Sequence, residues 1–380
     1  MRPFLLKIEI LLSSLLTVFF LIPSALAADT LKIGLAGPLT GDQASLGDML
    51  KNGGTIAIEE WNEKGGVLGK KIEAVWGDDQ HDPKQAVAIA NKFINEGVVG
   101  VIGHLNSSCS IPASTIYAKV PIPQITPSST NPQYTEQGLR NVFRVCGRDD
   151  QQGAVAADFI VNTLKKTKVA VFHDKTTYGQ GLADETVKRL KELGVEPVFY
   201  TGIVQGDKDY TVILTAAKQK NPEVLYFGGI YPEAILLAKQ SRDIGLNVIL
   251  MGGEGLHVQE FIDGAGPAAE GTYFSSNPDP ERIPEAQPFI KKFREKFPQT
   301  REIGVYTVHS YVATNILLEA IQATQSTEGQ KLIDYLHKTQ FNTALGPIRF
   351  DEKGDVLAPP YVFWQVQNGK FVQIQELKKP

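Results

Sequence analysis

Val98-Val99-Gly100-Val101-Ile102-Gly103-His104-Leu105-Asn106-Ser107-Ser108 is the stretch whose reading decides the fold class. Val98 to Ile102 is short, apolar and β-branched, as a parallel strand covered on both faces would be. Gly103 lets the chain turn, and Ser107 and Ser108 stand where a helix would begin. The first N–H groups of a helix lack partners inside it, and the positive end of its dipole lies there. Such a place suits a carboxylate or another anion. The construction then repeats, with Ile122 to Thr126 as a strand and Pro127-Ser128-Ser129-Thr130 as its loop. Two such loops at the carboxyl ends of parallel strands form a crevice.

Working outward, strands and helices alternate along the chain. Leu31 to Ala36 reads as a strand, followed by a helix that stops at Lys64-Gly65-Gly66, and Lys71 to Trp76 as the second strand. Asp82-Pro83 is a helix start, an N-cap followed by proline at the first helical position. After Phe143 to Arg148 the series begins again. A helix over 150–164 leads to strands at Lys168 to His173, Val195 to Tyr200, Val224 to Phe227 and Val248 to Met251, with helices between them. Helical segments come next near 288–297, 306–324 and 331–336. The end is β-like, and Asn368-Gly369 between alternating runs predicts a hairpin. Two successive series of this kind predict an α/β protein of two doubly wound parallel-sheet lobes.

Composition narrows the function. Residues 1–27 read as a cleaved export signal: Arg2 and Lys7 come first, Ile10 to Ile22 is an apolar core too short to span a bilayer comfortably, and Ala25-Leu26-Ala27 is a small-residue cleavage site. An uncleaved anchor is the alternative. Without Arg2, Lys7 and Glu9 the 38 basic against 42 acidic residues become 36 against 41, a net charge of −5. That mild acidity argues against broad nucleic-acid or anionic-membrane binding. About 350 remaining residues imply two domains. Cys109 and Cys146 are the two cysteines; they are no disulfide framework, and whether they pair is open at this stage.

The chain offers little for catalysis. Gly34, Gly37 and Gly41 have the wrong spacing for a dinucleotide loop, and Gly65 to Lys71 fails as a phosphate loop because Lys71 stands where a hydroxyl is required. The six histidines show no metal-ligand spacing. His104 reads as a loop residue, and His81 with Asp78, Asp79 and Asp82 as a solvated loop and helix cap. Neither a nucleophile elbow nor a cofactor signature occurs. Glu254, in Met251-Gly252-Gly253-Glu254-Gly255, follows a buried strand, where it either meets a ligand ammonium or is an exposed loop acid. Tyr178 follows another strand, either as a wall around an apolar ligand side chain or as ordinary packing.

Asp82-Pro83-Lys84-Gln85-Ala86-Val87, Val101-Ile102-Gly103-His104-Leu105, Ile125-Thr126-Pro127, His173-Asp174-Lys175 with Tyr178-Gly179, and Asp351-Glu352-Lys353-Gly354-Asp355 carry a resemblance over nearly all of the chain past the leader. The chain resembles the leucine/isoleucine/valine-binding protein family, the periplasmic substrate-binding components of branched-chain amino-acid ABC importers. The resemblance implies the type I periplasmic binding fold, two lobes joined by three crossovers. One lobe would hold residues 28–147 and 278–357, the other 148–277 and 358–380. It also implies the ligand contacts: Ser107 and Thr130 for the ligand carboxylate; the Ser128 carbonyl, the Thr130 hydroxyl and Glu254 for the ammonium; and Tyr178, Leu105 and Tyr306 as pocket wall. Leu46 and Ile230 stand where relatives have tyrosine, with Tyr231 adjacent. His81 and Asn106 occupy the positions of a family disulfide, and Ser128 replaces alanine.

The resemblance and the missing catalytic signatures together imply a periplasmic, non-enzymatic and monomeric binding protein without cofactor or metal. It would capture leucine, isoleucine or valine, with tolerance of other neutral amino acids, and deliver it to an inner-membrane permease. The alternatives are the same fold serving another small amide or carboxylate, an exported α/β enzyme acting on amino acids, or a sensor that docks on a receptor.

Overall fold

The computed structural model describes residues 30–300, 302–357 and 361–376. The leader over 1–27 and the crossover placed at 358 lie outside them. The first lobe is built on β1 (Thr30–Gly37), β2 (Lys71–Asp78), β3 (Val101–Gly103), β4 (Gln124–Thr126) and β5 (Val142–Arg144). Between these run α1 (Ala44–Glu63), α2 (Pro83–Asn95), α3 (Ser107–Tyr117) and the short α4 (Gln133–Glu136). The strands lie in the order β2-β1-β3-β4-β5, all parallel. Every residue of β3, β4 and β5 is buried, because helices cover both faces. Asp82 caps α2 by accepting from the Lys84 N–H, with Pro83 first in the helix. Beyond α1 the chain turns through Gly65 and Gly66, both at positive φ, so that stretch is a helix end and not a phosphate loop.

The second lobe opens with α5 (Asp149–Asp158), which continues as a π-helical turn over Phe159–Thr163. Then come β6 (Val169–His173), α6 (Thr177–Glu192), β7 (Phe199–Gly202), α7 (Thr211–Lys218), β8 (Val224–Gly228), α8 (Tyr231–Asp243), β9 (Ile249–Gly252), α9 (Gln259–Ala265) and β10 (Tyr273–Ser276). The chain next supplies α10 (Gln287–Lys296), α11 (Val305–Thr324) and α12 (Gly329–Lys338). α11 packs on α1 so closely that a Cβ on Gly53 would stand 2.1 Å from the Thr307 carbonyl oxygen. β11 (Gln340–Thr343) and β12 (Gly346–Arg349) pair as a small hairpin. β13 (Val362–Gln367) and β14 (Lys370–Glu376) return to the second sheet, whose order is β14-β13-β10-β9-β8-β6-β7. Asn368 and Gly369 both take positive φ at the turn between them, as the hairpin signal requires.

β10, β11 and α9 carried no sequence signal. β10 is Tyr273-Phe274-Ser275-Ser276, and two serines on a buried strand defeat a search for apolar runs. β7 starts at Phe199 rather than Val195: the Val195 N–H donates to the Leu190 carbonyl at the end of α6, and the chain first bonds to β6 through the Val198 N–H and the Val169 carbonyl. Cys109 and Cys146 are separate buried thiols. Among the described residues no helix is long and apolar enough to cross a membrane.

In the first sheet β1 lies between β2 and β3, and in the second β6 lies between β7 and β8. The winding reverses at these places, and there the loops at the carboxyl ends of the strands part. Every candidate residue except Tyr306 sits on a loop at the carboxyl end of β1, β3, β4, β6, β8 or β9 or on the helix start that follows it; Tyr306 lies in the first turn of α11.

Candidate binding site between the lobes

Hydroxyl groups shape the first-lobe side. Thr126 Oγ1 accepts from the N–H groups of Ser128 and Ser129 at 3.3 and 3.0 Å, which curls the loop after β4. The Ser128 and Ser129 hydroxyls donate to the Leu105 carbonyl at 2.8 and 2.9 Å, tying that loop to the one after β3. Ser107 Oγ accepts from the Asn131 N–H at 3.3 Å, a third tie. Ser107 opens α3 and Thr130 is buried beside it. His104 is a loop residue, as expected, but a fully buried one, its Nδ1 2.7 Å from Asp79 Oδ2 and its Nε2 3.2 Å from the Tyr117 hydroxyl. Asp78 accepts from the N–H groups of Leu39 and Thr40, and His81 lies 3.2 Å from Asp42. Among the described residues no group of histidine, cysteine and acidic side chains is arranged to hold a metal ion.

On the second-lobe side, Thr176 caps α6 by accepting from the Gly179 N–H at 2.9 Å, which places Tyr178 in the first turn. Tyr178 is half-buried as a residue, but its hydroxyl is buried. Glu254 follows β9 and is 1% exposed, so it is not an exposed loop acid. The preceding residue must lack a side chain: a Cβ on Gly253 would stand 2.7 Å from the Tyr178 hydroxyl and from Leu182 Cδ2. Gln152 Nε2 donates to Glu254 Oε2 and to the Ser275 carbonyl. Burial lifts the Glu254 carboxyl to about 7, against the pull of its own backbone N–H, Gln152 and Tyr178.

Across the crevice Asn131 Nδ2 donates to the Thr177 carbonyl at 2.8 Å, Ser45 Oγ to Glu260 at 2.7 Å, and the Tyr231 hydroxyl to the Asp42 carbonyl. The lobes are therefore closed on each other. Leu46, Leu105 and Tyr306 belong to one buried apolar cluster, Tyr178 packs on another that contains Leu182, and Ile230 lies against Gly255. At the mouth a cavity of about 280 Å³ is bordered by Gln43, Asn106 and Ser108 from one lobe and Lys175, Tyr178 and Ile230 from the other. A larger cavity, about 510 Å³, lies at the amino ends of β8 to β10, far from these loops.

Several buried polar atoms at the crevice have no hydrogen-bond partner of good geometry in the protein: Thr130 Oγ1, Glu254 Oε1, the Tyr178 hydroxyl, Ser275 Oγ and both oxygens of Asp149. Asp149, Gln152 and Ser275 are further candidates that sequence reasoning missed. Gln152 reads only as part of the helix over 150–164, Asp149 stands just ahead of it, and Ser275 lies on the strand that gave no signal. Buried polar groups are normally satisfied, so such a concentration of orphans marks a place built for a polar guest.

A family model described as periplasmic binding protein matches residues 30–370. The chain belongs to the periplasmic binding protein family. This periplasmic binding protein is 45% identical over 353 residues to the Leu/Ile/Val-binding protein homolog 1 of Brucella suis, covering 92% of this chain and 94% of that one. It is 39% identical to a leucine-, isoleucine-, valine-, threonine- and alanine-binding protein of Pseudomonas aeruginosa, over 87% and 88% of the two chains. Its fold matches the leucine-binding protein LivK of Thermotoga maritima with a TM-score of 0.86 at 33% identity, over 91% and 98% of the chains. It matches LivJ of Streptococcus pneumoniae, solved with isoleucine, with a TM-score of 0.85 at 26% identity, over 92% and 100%. The two-lobe parallel α/β architecture is that of type I periplasmic binding proteins.

Proposed function

We propose that this periplasmic binding protein captures an aliphatic L-amino acid between its lobes, leucine, isoleucine or valine first among them. The observation that carries the reading is the set of unpartnered buried polar atoms at the crevice, the Thr130 hydroxyl from the first lobe and the Tyr178 and Ser275 hydroxyls with the Glu254 and Asp149 carboxyls from the second. Ser107 and Thr130, with the N–H groups at the start of α3, take the ligand carboxylate. The Ser128 carbonyl, the Thr130 hydroxyl and Glu254 take the ammonium. Leu46, Leu105, Tyr178, Ile230 and Tyr306 enclose the side chain, and its burial contributes about 1.5–3 kcal/mol. The names of the relatives, which bind branched-chain amino acids, support this choice of ligand.

The protein then works as a monomer in the periplasm, exported through the cleaved leader, and hands its ligand to the permease of an ABC importer without changing it chemically. Calorimetric titration of ligand-stripped protein with an amino-acid panel tests the reading. Leucine, isoleucine and valine should bind tightly. Glutamate and arginine should bind poorly, because desolvating a third charge is costly. Tight binding of glutamate or arginine with none of leucine refutes the aliphatic pocket.

A further inference from the structure

The site holds two buried carboxylates where one ligand ammonium is expected. Asp149 is the first residue of α5, and its backbone N–H donates to the Thr130 carbonyl at 2.9 Å, which fixes it beside the loop assigned to the ligand. Its side chain is fully buried and neither carboxyl oxygen has a hydrogen-bond partner of good geometry. Four elements bring polar or charged groups to it: the Thr130 hydroxyl after β4, Arg144 on β5, Asp150 on its own helix, and Glu254 after β9. Cys146 and the hydroxyls of Tyr178, Tyr306 and Tyr361 also lie within its field. On α6, a Cβ at Gly181 would stand 3.7 Å from Asp149 Oδ2.

Arg144 is the cation in this group, and its guanidinium is committed elsewhere. It donates to Asp355 and the Ser129 carbonyl at 2.6 Å, to Thr135 at 2.8 Å and to the Asn131 carbonyl at 3.0 Å. Arg148 is bound to Asp150, Asp355 and Glu136. Two ionised carboxylates without a free counter-charge in a dry site are strongly disfavoured, and one of such a pair keeps its proton.

We propose that Asp149 is a second acid of the amino-acid site, one that stays protonated while Glu254 meets the ligand ammonium, so that the pair sets one negative charge against one positive charge. The inference rests on the amino-acid reading of the site. Burial and the neighbouring Glu254 both push the Asp149 carboxyl well above the usual range, while the Thr130 hydroxyl and Arg144 draw it down less. The positive end of α5 also favours the anion, but only modestly. A neutral carboxyl offers the zwitterion one donor and one acceptor and adds no charge. The site is thereby matched to a ligand with a single cationic nitrogen.

Leucine titrations of the intact protein decide the matter, run between pH 6 and 8.5 in two buffers of different ionisation enthalpy. The difference in heat counts the protons released on binding. The wild type should release no more than about one proton, from Glu254, fading to none as pH climbs well above 7. Asp149→Asn, neutral and of the same shape, should show the same proton count as wild type at each pH, because it removes no charge that acts on Glu254. Release approaching two protons overturns the proposal, as does a folded Asp149→Asn protein that binds leucine with a proton count lower than wild type, which would show that an ionised Asp149 had been raising the Glu254 carboxyl. Should that variant fail to fold, the carboxyl infrared band of the wild-type leucine complex above pH 8 decides: a protonated carboxyl band that persists supports the proposal, and its absence overturns it. A wild type that binds no amino acid overturns the amino-acid reading and this inference together; leucine binding with a two-proton release overturns this inference alone.

Discussion

Glu254→Gln should make the ligand-free protein more stable while making it a poor binder. Burial lifts the Glu254 carboxyl from 4.5 to about 7. Gln152 and Tyr178, the groups at the carboxyl, stand on the same lobe as Glu254, so the folded protein favours the protonated form with the lobes open or closed. The stability that protonation confers is complete below the unfolded value of 4.5 and is lost as pH rises through about 7. At 1.36 kcal/mol per pH unit the loss is about 3 kcal/mol at pH 8 and under about 1 kcal/mol at pH 5. Glutamine is neutral at both, and its side-chain carbonyl can still accept from Gln152, the donor now bonded to Glu254. Thermal unfolding of both ligand-free proteins across this range should show the variant's advantage widening with pH. Leucine affinity of the variant should fall tenfold or more, since hydrogen bonds to charged groups contribute roughly 1.5–3 kcal/mol. A stability gap that does not change with pH would refute the account of Glu254 as an acid held neutral by burial. Undiminished affinity would remove it from the ligand site.

Ser107→Ala and Thr130→Ala should each weaken leucine binding by roughly ten- to a hundredfold, and folded variants of unchanged affinity would count against the carboxylate clamp. Small-angle scattering should show the protein compacting when leucine is added, because a ligand held by both lobes favours the closed state by its differential affinity; equal dimensions with and without ligand argue against a clamshell. Arg144→Met should lower stability by about 3–5 kcal/mol, since it strips buried Asp355 of a partner 2.6 Å away. An unfolding midpoint at the wild-type value would show that Arg148, also 2.6 Å from Asp355, carries the pair by itself.

Local chemistry explains what was legible. Val101 to Gly103 could only be a covered strand, Asp82-Pro83 only a helix start, and Asn368-Gly369 a hairpin turn, because each signal involves a few neighbouring residues and a backbone constraint. The order of strands and helices set the class of fold, and with it the edge of each sheet where ligands gather. Ser107, Thr130 and Glu254 were visible as candidates because they follow strands directly.

Tertiary structure alone decided what those candidates face. Glu254 could be a surface acid until Gln152 and Tyr178, distant in sequence, close around it. Asp149 stands just ahead of a helix in the sequence, and only the folding of α5 onto the second sheet leaves it in the field of Glu254 with no free counter-charge. His104 and Asp79 become a buried pair only because α2 and α3 pack side by side. Propensity and spacing are properties of neighbours along the chain, and sequence alone sets them. Burial and the electrostatic field are properties of neighbours in space, so sequence supplied the candidates for the site and the fold decided what surrounds them.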